Sequence, residues 1–439
     1  MQLVAYGAQD VYLTGTPKVT FFQAVYKRHT NFAMENIEQT VNGSAANSGR
    51  LSVTVAGNGD LIGDMYLEIT TGTLATVAGQ AAPDACWVAE RAVADIELSI
   101  GGQRIDKHYQ KWWRLYSELC LDEAKKAQWG KMTSNPTGEA GKVYLPLIFF
   151  FNRNPGLYLP LIALQYHEVR LDIDLASDYT TYFGGATPST PKVWGNYVYL
   201  DTEERRRFAQ KGHEYLIEQV QHTGTDSVDA TTTKQVRLSY NHPVKELVWC
   251  FSNTSANASM WNFSSNAAAG DVSLTCNPKI QVDADLATAG NAMAFTSTSE
   301  SGVPLVIQGA GAENSNLSAL SWHEDGALST GAVGPLSTFK LVLNGQDRFK
   351  EQDGKYFNQV QPYNHHGGNP YPGVYSYSFA LKPEEHQPTG TCNFSRIDNA
   401  QVAVTLKTGA AASTTMHMFA TNYNVLRIQS GMGGLAFSN

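Results

Sequence analysis

His167-Glu168, followed by Asp172 and Asp174, gathers an imidazole and three carboxylates in one short stretch, the raw material of a metal site or an acid–base pair. The spacing argues otherwise. Val169, Leu171, Ile173 and Leu175 alternate with Arg170, Asp172 and Asp174, which is the period of a strand with one buried face and one polar face turned to its neighbours. His365-His366 offers a second pair of imidazoles beside Gly367-Gly368, but no third ligand stands at a suitable spacing, and the segment reads as a turn. No H-x-H of a metal-binding cupin occurs, and no G-x-S-x-G, P-loop or G-x-G-x-x-G stands in a strand-to-helix setting. Cys86, Cys120, Cys250, Cys276 and Cys392 are odd in number, scattered and never C-x-x-C, so they are read as buried thiols rather than a disulfide framework or a zinc site. The sequence therefore assigns no catalytic residue, no cofactor and no metal.

Asn-x-Ser/Thr triplets start at Asn42, Asn253, Asn257, Asn262, Asn316 and Asn393. Asn253, Asn257, Asn262 and Asn316 fall in a small, polar stretch expected to be exposed, which makes them the candidate glycan positions. The N-terminus lacks the basic and apolar regions of a signal peptide, so enzymes of the secretory pathway would not meet the chain, and chance in a Ser/Asn-rich loop accounts for the triplets.

The elements that carry these residues come twice. Ile37-Glu38-Gln39 returns as Ile217-Glu218-Gln219, Asn58 as Asn241, and Gly101-Gly102-Gln103 as Asn344-Gly345-Gln346. The stretch from Val143-Tyr144 to Leu175 lies on that from Val374-Tyr375 to Leu406 without a gap, and Val169, Leu171, Ile173 and Leu175 fall over Ala400, Val402, Val404 and Leu406. A repeat this long is a whole domain and not a solenoid turn. At 439 residues the chain also exceeds what one core usually supports. Abundant Gly, Tyr and Phe with only 16% charged residues favour strands and turns. A net charge of −8 gives no electrostatic footprint for direct nucleic-acid contact. The most apolar run, Leu145 to Phe151, is too short to span a bilayer, so a soluble chain is expected.

Residues 1–28 read as an N-terminal arm with a short helix: Thr16 and Pro17 form a helix start, and Val19, Phe22, Val25 and Tyr26 recur at helical spacing. Residues 29–210 form the first domain, with strands around Leu51, Val53 and Val55 and around Met65, Leu67 and Ile69. A helical insertion carries Tyr109, Trp112, Trp113, Tyr116, Leu119 and Cys120, with Lys125, Lys126 and Lys131 toward its end. Trp112 and Trp113 cannot both face one narrow core, and are expected to pack against the second barrel or another chain. Glu203-Glu204-Arg205-Arg206-Arg207 marks the junction, where the arginines are solvated or meet a partner's carboxylates. Residues 211–439 form the second domain, decorated between about 253 and 338 by long loops.

Several of these segments resemble one family. They include Leu3 to Gly15, Phe21-Phe22 through Thr30-Asn31-Phe32, Ile100 to Tyr109, Pro146 to Asn152, Leu343 to Phe349, Gly390 to Asn399, and Asn422 to Leu435. End to end, the chain resembles the major capsid protein of large icosahedral DNA viruses of algae, the chlorella-virus type. The resemblance implies an all-β double jelly roll, two tandem eight-stranded antiparallel sandwiches with short helical insertions. It also implies a homotrimeric, pseudo-hexagonal capsomer that meets neighbouring capsomers, minor capsid proteins and penton proteins in the outer shell of a virion assembled in host cytoplasm. Trp112, Trp113, Arg205, Arg206 and Arg207 are the candidate assembly contacts. A minor capsid paralogue, or a jelly-roll lectin or carbohydrate-active protein, is the alternative, since sandwiches host many functions.

Overall fold

Alternating apolar and polar residues become four antiparallel sheets in a computed structural model of the chain, which describes residues 7–73, 87–134, 140–183, 187–228, 233–253, 334–370, 373–407 and 414–437. Eight principal strands build the first half: β1 (Phe32–Gln39), β2 (Arg50–Thr54), β3 (Leu61–Thr71), β4 (Val93–Ile100), β5 (Gln103–Tyr109), β6 (Gly141–Pro146), β7 (Val169–Leu175) and β8 (Lys192–Leu200). Eight more build the second: β9 (His213–Val228), β10 (Lys234–Leu238), β11 (Pro243–Asn253), β12 (Leu336–Leu343), β13 (Gln346–Asp347), β14 (Val374–Ser378), β15 (Ala400–Leu406) and β16 (Thr414–Gln429). The sheets of the first half run β1-β8-β3-β6 and β2-β7-β4-β5, and those of the second run β9-β16-β11-β14 and β10-β15-β12-β13. Each second-half strand takes the place of the first-half strand eight before it, so the duplication read in the sequence is a duplication of topology. Each sheet adds one or two short strands to these four, and two facing sheets in this order make a jelly roll; the chain has two.

The repeated landmarks have a backbone cause. β4 and β5 are joined by Gly101 (φ 58°) and Gly102 (φ 80°), and β12 and β13 by Asn344 (φ 51°) and Gly345 (φ 78°). Positive φ at both central residues is the two-residue turn whose twist matches that of the flanking strands, and only Gly and Asn adopt it cheaply. β7 and β15 each lie inside a sheet, bonded on both sides; burial alternates strictly along β15, while in β7 the apolar residues are all buried and Asp172 is buried with them. Asp172 and Asp174 lie on the polar face, where Arg50 reaches both, at 3.6 and 3.8 Å.

Two local expectations are corrected, and the junction gains a secondary structure. The stretch 17–26 is not helical; one helical turn forms earlier, at Val11–Thr14, and the arm beyond it is exposed, with a turn at 21–23. A helix there would have had to bury Val19, Phe22, Val25 and Tyr26 in a barrel end, and all four side chains are exposed. The helical insertion is two helices, Gln110–Leu119 and Glu123–Thr133, because the Asp122 carboxylate accepts from Lys125 N at 2.8 Å and caps a new start. The charged junction is itself a helix, Thr202–Gln210, with no buried residue. The loop expected over 253–338 falls mostly outside the described residues.

The second half's core is an aromatic stack. Trp249 lies 4.3 Å, centroid to centroid, from Phe339, 5.3 Å from Phe357 and 5.9 Å from Tyr375, all without solvent exposure. Trp249→Ala would leave a cavity that these rings cannot close, and should cost about 3–5 kcal/mol in chemical denaturation. Tyr12→Ala, in the exposed arm, should leave the unfolding midpoint unmoved.

Candidate functional site

The two sandwiches meet along a buried seam, and the helical insertion of the first half supplies one side of it. The Trp112 ring lies 5.7 Å from Phe419 of β16, and the Tyr109 ring 6.0 Å from it. Ile217, Val220, Val248, Cys250, Phe419, Leu426 and Ile428 of the second half belong to the same buried apolar cluster as the first half's core. Backbone groups cross as well. Asp106 Oδ1 accepts from Val220 N at 3.0 Å, the Gln219 amide donates to Ile105 O, and Gln103 Oε1 accepts from Leu435 N at 3.2 Å. At the C-terminal end of helix Gln110–Leu119, Gly368 N donates to Leu119 O at 3.0 Å. A Cβ on Gly368 would come within 2.4 Å of that carbonyl oxygen, so no larger residue permits the approach.

Charge is buried in the seam. Glu218 of β9 is 5% exposed and is held by Arg153 of the first half at 2.9 Å and by Lys245 of β11 at 2.8 Å. Burial alone would push the Glu218 carboxyl up; Arg153 and Lys245 outweigh it and keep it below its ordinary value. Beside them Glu118 binds Arg114 at 3.1 Å and Lys126 at 2.6 Å, and Lys126 also donates to Asn369 O of the second half at 2.8 Å. Arg114 stacks over Trp87 at 4.1 Å and faces Glu90 at 3.5 Å. Burial dominates at Glu90 and pushes its carboxyl up despite Arg114 and the Trp129 indole that donates to it.

The residues singled out in the sequence are dispersed. Trp112 is 5% exposed and Trp113 fully buried, so within one chain both are interior side chains, Trp112 on the seam itself. Arg205 bonds Asp60 at 3.0 Å and pins the junction helix to the first half, Arg206 lies 3.9 Å from Glu203, and Arg207 is exposed. Asn253 ends β11, whereas Asn257, Asn262 and Asn316 fall outside the described residues. His167 is not a ligand: its Nδ1 lies 2.9 Å from Gly433 O, a contact between the halves. His366 is more than a turn residue. Its fully buried imidazole lies between Glu246 at 3.1 Å and Glu384 at 3.1 Å, next to Cys120. Sequence spacing could not find this group, because its members come from four separate elements. Outward, the arm presents Val11, Tyr12, Leu13, Phe21, Phe22 and Tyr26, with Phe22 wholly exposed.

Arg153→Met should remove one of the two cations that hold Glu218, with a cost of about 2–3 kcal/mol, below that of a fully buried pair because 31% of the Arg153 side chain is exposed and Lys245 remains. Arg205→Ala, at a largely exposed arginine, should cost less than about 1 kcal/mol. Glu218 is held below its ordinary value of 4.5, so its contribution is complete above that pH and is lost as pH falls through the lowered value. Glu218→Gln should therefore flatten the acid limb of a stability profile measured by denaturant titration.

Comparison with known proteins joins these observations to one lineage. Residues 20–201 match the family described as "Major capsid protein N-terminus", and residues 204–434 the family described as "Large eukaryotic DNA virus major capsid protein". The chain is 43% identical to the major capsid protein of Paramecium bursaria Chlorella virus 1, with 100% of this chain and 99% of that one covered. It is 40% identical to the major capsid protein of Phaeocystis pouchetii virus at the same coverage. The quasi-atomic model of the PBCV-1 virus capsid superposes with a TM-score of 0.73 at 38% identity, covering 96% of this chain and 100% of that one. The Faustovirus major capsid protein shares the fold alone, with a TM-score of 0.64 at 11% identity over 97% of this chain and 94% of that one. Among the described residues no helix is long and apolar enough to cross a membrane. The chain belongs to the major capsid proteins of large eukaryotic DNA viruses, and its role is that of a structural protein of the virion shell.

Proposed function

We propose that three copies of this chain close into a capsomer in which six sandwiches surround one axis, and that such capsomers tile the shell. The observation that carries the reading is the matched topology of the two halves, fixed to each other by a buried seam. A trimer of doubled, rigid units approximates a hexagon and can meet six neighbours in a flat lattice. In this reading the first unit ends and the second begins within the helix Thr202–Gln210, between the sheets that finish at Leu200 and start at His213. The protein does no catalysis; its work is self-association over an obligate interface, followed by contacts with minor capsid and penton proteins during assembly in the host cytoplasm.

The arm belongs to that interface. Apolar side chains as exposed as Phe21 (93%) and Phe22 (100%) gain about 1.5–3 kcal/mol each when a neighbouring surface covers them. They are too many to leave in water on a finished particle. A minor capsid paralogue would use the same fold at special lattice positions.

Light scattering on the purified protein should give three times the 47.9 kDa chain mass. A stable monomer at assembly concentrations would overturn the trimer. Removal of residues 1–28 should leave the thermal unfolding of the sandwiches unchanged while weakening trimers or their further association, because the arm's described part contributes no buried residue.

A further inference from the structure

Cys120 ends the helix Gln110–Leu119, His366 and Glu384 stand on two loops of the second half, and Glu246 lies in β11. The ligand atoms of Cys120, His366 and Glu384 lie within 4.8 Å of one another. Tetrahedral zinc, with bonds of about 2.0–2.3 Å, sets ligand atoms about 3.5 Å apart, so the set needs to contract by roughly an ångström. His366 Nδ1 faces the Glu384 carboxylate, while Nε2 faces Glu246 Oε2 at 3.1 Å, off the axis of a good hydrogen bond. Both Nε2 and that carboxylate oxygen are buried without a hydrogen-bonding partner. A carboxylate behind the far nitrogen of a histidine is the arrangement that orients an imidazole toward a metal. The pocket is closed on the Glu246 side and open at Glu384, whose side chain is 31% exposed, which gives an ion a way in.

We propose that Cys120, His366 and Glu384 form a divalent-metal site of the zinc type that fastens the first half's helix to the second half, with Glu246 positioning the imidazole. The donor set selects the ion: a thiolate with an imidazole favours zinc over magnesium or calcium, which prefer oxygen. Zinc takes a thiolate and an unprotonated imidazole nitrogen, so any proton on Cys120 Sγ or on the coordinating ring nitrogen of His366 leaves as the dication enters. The site is independent of the oligomeric reading, since all four residues come from one chain.

The test is cobalt titration of the full-length protein after purification with a chelator. The expected result is one equivalent bound, with a sulfur-to-cobalt charge-transfer band in the near ultraviolet, tetrahedral d–d bands, displacement by zinc, and a higher unfolding temperature. Cys120→Ser should abolish the charge-transfer band, while Cys392→Ser should keep it. Glu384→Gln changes an exposed side chain and leaves the fold intact; it should weaken binding at least as much as the roughly tenfold loss seen when an outer-shell partner is removed. A charge-transfer band that survives Cys120→Ser, or no band in the unaltered protein, would overturn the proposal and leave the group as an imidazole clamped between two carboxylates.

Discussion

A carboxylate buried between two sandwiches constrains everything built around it. Glu218 is nearly shut off from water and is held by one cation from each half. Opening the seam would part it from Arg153 and expose the apolar surface around Phe419, and each such separation of a buried pair costs several kcal/mol. The halves consequently behave as one block, not as two domains on a hinge. The linker does not set their angle; side chains on β5, the helix Gln110–Leu119, β9 and β16 do. Glu118 and Lys126 add a second buried ion pair at the C-terminal end of the helix Gln110–Leu119, with Asn369 as the partner across the seam.

Much of this was legible in the sequence where the signal is local. Alternation gave β7 and β15 their buried faces, and Gly101-Gly102 and Asn344-Gly345 marked equivalent hairpins because a two-residue turn accepts few other residues. Legibility failed wherever the deciding partner is distant in the chain. Glu218 registered as part of a repeated tripeptide, yet its first-half counterpart Glu38 is exposed, and only the meeting with Arg153 and Lys245 separates the two. His366 looked like a turn residue because Cys120, Glu246 and Glu384 approach it only after both halves have folded. The apolar spacing of Val19, Phe22, Val25 and Tyr26 suggested a helix, but periodicity records what a segment could bury, not whether its own chain offers a surface to bury it on.

The duplication is also unequal. The topologies match strand for strand, but the loop after β5 carries the helices Gln110–Leu119 and Glu123–Thr133, while its counterpart between β13 and β14 carries a shorter helical segment that ends at Gln361–His365. The corresponding loops thus became opposite sides of a single contact: Gly368 and His366 follow the second-half segment and meet Leu119 and Cys120 at the end of the first-half helix. Two copies of one fold came to recognise each other through the parts in which they differ.

The order of strands along the chain has a consequence for synthesis. β16 lies between β9 and β11, bonds to both, and carries Phe419 into the seam, yet it emerges from the ribosome after every other labelled strand. The first sandwich can form while translation continues, at about 5–20 residues per second, but the second lacks its central strand until then. A prematurely terminated polypeptide would therefore present an open sheet edge and an uncovered Trp112.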